Sequence, residues 1–168
     1  MQRRSLADEG LICEDASVKV KYQPTMSKAW ESACKVRTAL AERDWEKADR
    51  FARRAATTAT EALLYSRGYR PVGQLTIDDA CDYCAESFGI RTRALFTRAR
   101  IIGEFLPLPD DLEEDKLSFT KRAMIGSSEV VALVECKVSV EQAARERALG
   151  LAAEEEAWPP VPAPRGGR

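Results

Sequence analysis

Histidine is absent from the 168-residue chain, and its absence excludes several kinds of catalytic site. A Ser-His-Asp or Cys-His arrangement cannot form, and neither can a zinc site of the HExxH type. A glycine-rich phosphate-binding loop is missing as well. General acid-base chemistry would have to use Glu, Asp, Lys, Tyr or Cys. The sequence therefore predicts no metal site and no cofactor.

The chain also lacks long apolar runs and an excess of charge of one sign. No run approaches the ~20 residues that a membrane-spanning helix needs, and no apolar segment like that of a signal peptide follows the N-terminus. The 26 Lys and Arg residues nearly balance the 27 Asp and Glu residues, so a nucleic acid would have to be bound by a local patch. Five cysteines, an odd number spread along the chain, favour free thiols in a reducing compartment. We expect a cytoplasmic protein without membrane contact.

Helical periodicity fills the centre of the chain. Ala29, Ala33, Val36 and Leu40 recur at the spacing of one helix face, and an alanine-rich stripe follows from Trp45. The turn between the two stripes is short. Together they predict an antiparallel helix pair.

Capping residues indicate where the next helices begin and end. Asp44 is suited to the N-cap of the second helix, Gly68 to its left-handed C-terminal position, and Pro71 prevents continuation. Thr76 and Asp79 form a capping-box pair, which predicts the start of a third helix.

The second half of the chain gives weaker patterns. Residues 91–106 carry an apolar stripe that ends before Pro107, which predicts a fourth helix. The acidic residues 110–121 indicate a loop or a short peripheral helix. The valines at the start of residues 130–151 favour a strand, but we expect one helix there, because only residues 17–22 could pair with such a strand.

These patterns together predict an all-α, up-down bundle of four or five helices. An N-terminal arm over residues 1–24, extended at residues 17–22, precedes a bundle domain over residues 25–152. Residues 153–168 are rich in Pro, Gly and charge, and we expect a disordered tail there.

Cys81 and Cys84 have the CxxC spacing on the predicted third helix. A structural zinc site normally needs four ligands, and neither a histidine nor a second CxxC is present. Both cysteines fall on the apolar stripe of their helix. We interpret them as small core residues, with a redox pair as the alternative.

One basic cluster stands out, formed by Arg91, Arg93, Arg98 and Arg100. At about 100° per residue, Arg93 and Arg100 face away from the apolar stripe of their helix, whereas Arg91 and Arg98 lie beside it. An arginine at the edge of an apolar face needs a partner, because burying an unpaired charge is costly. That partner is either an acidic residue such as Glu104 or the phosphate of an RNA or nucleotide.

The order of these features resembles the HEPN superfamily of small helical bundles. The resemblance covers roughly residues 6–106. It lies in an arm like residues 6–12, in a helix pair joined at a point like residues 43–45, and in an alanine-rich second helix that ends in a segment like Tyr-Ser-Arg-Gly-Tyr-Arg-Pro at residues 65–71. The resemblance implies a homodimer around the helix at residues 91–106.

Catalytic members of this superfamily cleave RNA without a metal, using an arginine and a histidine four to six residues later. The segment here that is similar to their motif is residues 98–105, with Arg98 and Arg100 as the arginines. Gly103, Glu104 or Phe105 takes the histidine position. No other side chain replaces an imidazole that titrates near neutral pH, so the resemblance implies a non-catalytic module.

Three functions remain open from the sequence. The first is a HEPN-like module that binds RNA, a nucleotide or a partner protein, such as a cognate antitoxin, in a prokaryotic toxin-antitoxin or defence setting. The second is a ribonuclease with an atypical site at Arg98, Arg100 and Glu104, or with a tyrosine in place of histidine. The third is a plain interaction or assembly protein.

Overall fold

The computed structural model describes residues 10–88 and 113–157. This part of the chain contains four α-helices, a short 3-10 helix and a two-stranded sheet. In chain order they are β1 (Ile12–Glu14), the 3-10 helix (Ala16–Lys21), α1 (Tyr22–Ala41), α2 (Trp45–Arg67), β2 (Tyr69–Pro71), α3 (Ile77–Phe88) and α4 (Glu113–Ala157). The predicted helical bundle is confirmed.

Helices α1 and α2 form the predicted pair, and the turn between them is short. Arg43 has a φ of 58°, which reverses the chain direction. Asp44 then caps α2, because its side chain accepts a hydrogen bond from the backbone N–H of Lys47 at 3.0 Å. Small residues fill the contact between the helices, which permits a close approach. The buried alanines of the pair are Ala29, Ala33, Ala39, Ala48, Ala52, Ala55, Ala56, Ala59 and Ala62.

Helix α2 ends as predicted, but the chain then enters a strand that the sequence did not predict. Gly68 has a φ of 82°, and its N–H donates to the carbonyls of Leu64 and Tyr65. β2 follows directly and pairs antiparallel with β1. Each strand has three residues, which is too short for a periodic signal in the sequence.

The predicted extended conformation of residues 17–22 is wrong. A 3-10 helix begins after Asp15, whose side chain accepts hydrogen bonds from the N–H and hydroxyl of Ser17. Val18 is 2% exposed, so this segment contributes to the core. Burial of one valine and the Asp15 cap together explain the compact conformation. α1 begins at Tyr22, and the domain boundary after residue 24 stays a prediction.

The capping box that predicted α3 is present in full. The N–H of Asp79 donates to the Thr76 hydroxyl at 3.1 Å, and the N–H and hydroxyl of Thr76 donate to the Asp79 carboxylate at 2.9 and 2.7 Å. Ala80 and Cys84 are buried on the inner face of α3. These contacts fix α3 against the C-terminal half of α2.

Helix α4 confirms the preference for a helix over residues 130–151 and corrects the predictions on both sides of that segment. The sequence predicts a loop or a short peripheral helix over residues 110–121, but residues 113–121 belong to α4. It also predicts a tail from residue 153, but α4 includes residues 153–157. Extending a helix that is already formed costs little, so it needs no apolar stripe of its own. Residues 158–168 lie outside the described part.

The core lies where α4 crosses the α1–α2 pair. Val130, Val131, Val134 and Val138 are each at most 1% exposed and pack in one cluster with Leu63 of α2. Helix α2 is therefore the central element, in contact with α1, α3 and α4. The fourth helix predicted over residues 91–106 lies outside the described residues.

Candidate functional site

All the site residues that the sequence predicts lie outside the described part of the chain. They are Arg91, Arg93, Arg98, Arg100 and Glu104. Their roles therefore stay predictions. The described residues contain a different polar surface, on the outer side of α2.

The outer side of α2 carries a line of polar side chains, which we call the α2 ridge. It consists of Arg54, Thr58, Glu61 and Tyr65. Their spacing of four, three and four residues places them on one face of the helix. The opposite face is the buried alanine stripe, so the amphipathic pattern of α2 directs all four away from the core.

A groove of about 340 Å³ lies between the α2 ridge and α1. We call it the α1–α2 groove. Lys21 and Lys28 line it from the α1 side and Arg54 lines it from the ridge. Thr25, Thr58 and Tyr65 contribute hydroxyl groups to the same lining. The Tyr65 hydroxyl donates its hydrogen bond to Glu61, so three cations and the hydroxyls of Thr25 and Thr58 form the lining suited to an anion that accepts hydrogen bonds.

Glu61 is the carboxylate that lines the α1–α2 groove, and part of its hydrogen-bonding capacity is already used. The Tyr65 hydroxyl donates a hydrogen bond to Glu61. Arg54 is exposed and forms no ion pair with a residue in the described ranges. Glu31 lies near Arg54 but is already paired with Lys35. Within the described ranges Lys21 and Lys28 form no ion pair either, and the Lys21 ammonium lies 5.9 Å from the centroid of the Tyr65 ring.

Tyr65 cannot act as a general base in this groove. Burial, together with the hydrogen bond to Glu61 and its negative charge, raises the pKa of Tyr65 to about 12. The phenol therefore stays protonated at neutral pH and can only donate or accept a hydrogen bond. Among the tyrosines that could replace histidine in a ribonuclease, Tyr65 is unsuitable.

A second and larger cleft, of about 930 Å³, lies on the other side of the α2 ridge. Residues 73–76, in the connection between β2 and α3, form its far wall. Its charged lining is balanced, because α2 contributes three arginines and three carboxylates to it, namely Arg50, Arg53, Arg54, Glu46, Asp49 and Glu61. Arg53 and Asp49 are paired at 3.1 Å. Because its charges cancel, this cleft is less suited to an anion than the α1–α2 groove.

A partly buried ion pair joins the end of α2 to α4. The Arg67 guanidinium donates to Glu141 at 2.7 Å and to the Tyr83 hydroxyl of α3 at 3.0 Å. The hydrogen bond from Arg67 lowers the pKa of Glu141, against the opposing effect of burial. We call these three residues the Arg67 clamp. It connects three helices, and we assign it a structural role.

The CxxC pair is only partly described. Cys84 is buried, and its sulfur lies 3.4 Å from the Thr60 hydroxyl, so its interpretation as a core residue is confirmed. The side chain of Cys81 lies outside the described part. Within residues 10–88 and 113–157, no cluster of metal-ligating side chains is present, and no helix is long and apolar enough to cross a membrane.

Sequence reasoning missed the α1–α2 groove. A signal existed, because Lys21, Thr25 and Lys28 recur at helical spacing on one face of the chain. The four polar residues of the α2 ridge also recur at helical spacing on one face. Neither stripe is unusual alone, however, and only the packing of α1 on α2 brings Lys28 and Arg54 to one groove.

Comparison with known proteins adds no relative of this chain. No protein-family model matches it, and neither a curated protein nor a solved structure shows significant similarity to it. The function is therefore inferred from the groove itself.

Proposed function

We propose that the chain is a HEPN-like helical module that binds RNA through the α1–α2 groove and does not cleave it. The observation that carries this proposal is the convergence of Lys21, Lys28 and Arg54, from the 3-10 helix, α1 and α2, on a groove that also contains the hydroxyls of Thr25 and Thr58. Lysine and arginine supply most of the affinity for a phosphate backbone, and hydroxyl groups add hydrogen bonds to phosphate oxygens.

The charge of the whole chain supports a local mode of binding. The net charge is −1, so the protein as a whole does not attract a polyanion. A groove with an excess of positive charge can still bind a few phosphates of a single strand. We therefore expect modest affinity that falls as the salt concentration rises.

The absence of histidine supports binding without cleavage. Arg98 and Arg100 could contact phosphate in the same RNA, but they offer no group that titrates near neutral pH. The toxin-antitoxin or defence setting, with an antitoxin as partner, follows only from the HEPN resemblance and is part of this proposal.

A salt-dependent titration with a short labelled single-stranded RNA tests the groove. Each lost phosphate contact should reduce the slope of log K against log salt by about 0.7. We expect that reduction for Arg54→Ala and for Lys28→Ala. Arg37→Ala is the matched control, because Arg37 is exposed on the opposite side of α1 and does not line the groove. Equal slopes for all four proteins would contradict the proposal.

A cleavage assay on the same RNA in the presence of a chelator tests the non-catalytic assignment. We expect intact RNA. Metal-independent cleavage that is lost in Arg98→Ala would instead establish the ribonuclease alternative. RNA binding that is absent at low salt would exclude both nucleic-acid functions and leave an interaction or assembly protein.

A further inference from the structure

Helix α4 has a second apolar face on the side opposite the core. Leu133 and Val140 are 36% and 61% exposed on this face. Cys136 is also exposed, and Ala143 is partly exposed. These four residues follow one another at intervals of three, four and three, which is the spacing of the seam of a coiled coil. We call them the α4 seam.

The described elements leave the α4 seam uncovered. Contacts to the rest of the bundle come from other sides of α4, through its buried valines, through Glu135 to Trp30 and through Glu141 to Arg67. Exposed leucine and valine at seam spacing cost free energy in water, so burial against another helix would be favourable.

The charges at the two ends of the seam indicate which helix fits. Glu129 precedes it and Arg147 follows it, and both lie on the same side of α4. Both are exposed, and neither forms an ion pair with a residue in the described ranges. Each lies nine residues from Val138, one before it and one after it.

This symmetry makes the seam complementary to itself in the antiparallel direction. With a two-fold axis at the level of residue 138, Glu129 of one chain faces Arg147 of the other. Leu133 then faces Ala143, a large residue against a small one, and Cys136 faces Val140. A parallel pair would instead bring Glu129 against Glu129 and Arg147 against Arg147, and like charges disfavour that arrangement.

We propose that two copies of this chain associate through the α4 seam as an antiparallel helix pair with a two-fold axis near residue 138. The contact from residue 129 to residue 147 is about 27 Å long on each helix, at 1.5 Å per residue. It is an isologous interface, in which the same surface serves both chains. The surface differs from the segment at residues 91–106, to which the HEPN resemblance assigns the dimer.

Analytical ultracentrifugation of the full chain over a concentration series tests this proposal. We expect the wild type to pass from monomer to dimer as the concentration increases. Val140→Asp places two carboxylates in the apolar seam and should raise the dissociation constant at least tenfold. Val72→Asp is the matched control, because Val72 is 60% exposed and lies outside the seam. We expect that variant to dimerise like the wild type.

Charge exchange tests the antiparallel register. Glu129→Arg and Arg147→Glu should each weaken the dimer several-fold, because each places like charges against each other. The double variant restores two opposite pairs and should return to nearly wild-type affinity. Circular dichroism melts should show that all these variants stay folded, because the changed side chains are exposed.

Three results would overturn the proposal. The first is a wild type that stays monomeric at every concentration. The second is a dimer that Val140→Asp leaves intact, which would place the interface elsewhere, for example at residues 91–106. The third is a double charge variant that is weaker than both single variants, which would exclude the antiparallel register.

Discussion

Helices α2 and α4 pack against each other, yet their outer faces differ. Both have apolar inner faces, alanine-rich in α2 and valine-rich in α4. Outside, α2 presents the polar α2 ridge, whereas α4 presents the apolar α4 seam. Water solvates a polar outer face, so such a face can stay exposed and remain accessible to a charged ligand. An apolar outer face is satisfied only by another apolar surface. This difference is the reason that we propose ligand binding at α2 and association at α4.

The largest expected effect on the free energy of unfolding distinguishes a buried inner-face residue of α2 from an exposed outer-face residue of α4. Leu63→Ala removes a fully buried side chain and should lower the free energy of unfolding by about 3 kcal/mol. Val140→Ala, on the outer face, should change it by less than about 0.5 kcal/mol at concentrations where the chain is monomeric. Urea denaturation measures both. Similar losses for the two variants would mean that the α4 seam is buried in the monomer, and the comparison would fail.

The Arg67 clamp should have the second-largest effect on the free energy of unfolding, because its ion pair links α2 to α4. Arg67→Met leaves Glu141 without its main partner and should cost about 2 kcal/mol, less than a fully buried pair because both side chains are partly exposed. Lys35→Met is the control, since the Lys35–Glu31 pair lies within α1 alone, is mostly exposed and should contribute less than about 0.5 kcal/mol. Urea denaturation of both variants checks this difference. Equal losses would show that the clamp adds nothing beyond a local ion pair.

Lowering the pH should have the smallest of the three effects on the free energy of unfolding, and it acts through Glu141. The pKa of Glu141 in the folded chain is lowered by the hydrogen bond from Arg67. Its contribution is therefore present above the ordinary glutamate pKa of about 4.3 and is lost as the pH falls through the lowered value. The stability difference between the wild type and Glu141→Gln should be constant near neutral pH and should shrink below about pH 4.

The Glu141→Gln comparison is needed because other carboxylates titrate in the same range. Hydrogen bonds from Ser17 and Lys35 lower the pKa of Asp15 and of Glu31, respectively. Both residues are present in the wild type and in the variant, so their effects cancel in the difference. Unfolding free energies measured at several pH values provide the test. A difference that persists at the lowest pH would show that Glu141 acts through packing rather than charge.

Local patterns in the sequence determined the α1–α2 pair, several helix ends and the limits on the chemistry of this protein. The alanine stripes predicted the α1–α2 pair, because residues three and four apart share a helix face. Asp44, Gly68 and the Thr76–Asp79 pair marked helix ends, because each forms its hydrogen bonds with residues close by in the chain. The lack of histidine limits the chemistry of the chain whatever its fold, because no other side chain titrates near neutral pH without a shifted pKa.

Tertiary structure decided what depends on distant residues. The pairing of β1 with β2 joins two three-residue segments that have no periodic signal of their own. The α1–α2 groove exists because Lys28 and Arg54 come from different helices, and the Arg67 clamp joins residues 74 positions apart. The α4 seam is an outer face only because the buried valines of α4 pack against α2. A sequence reports the faces of each helix, but only packing selects which face is buried and which is left for a partner.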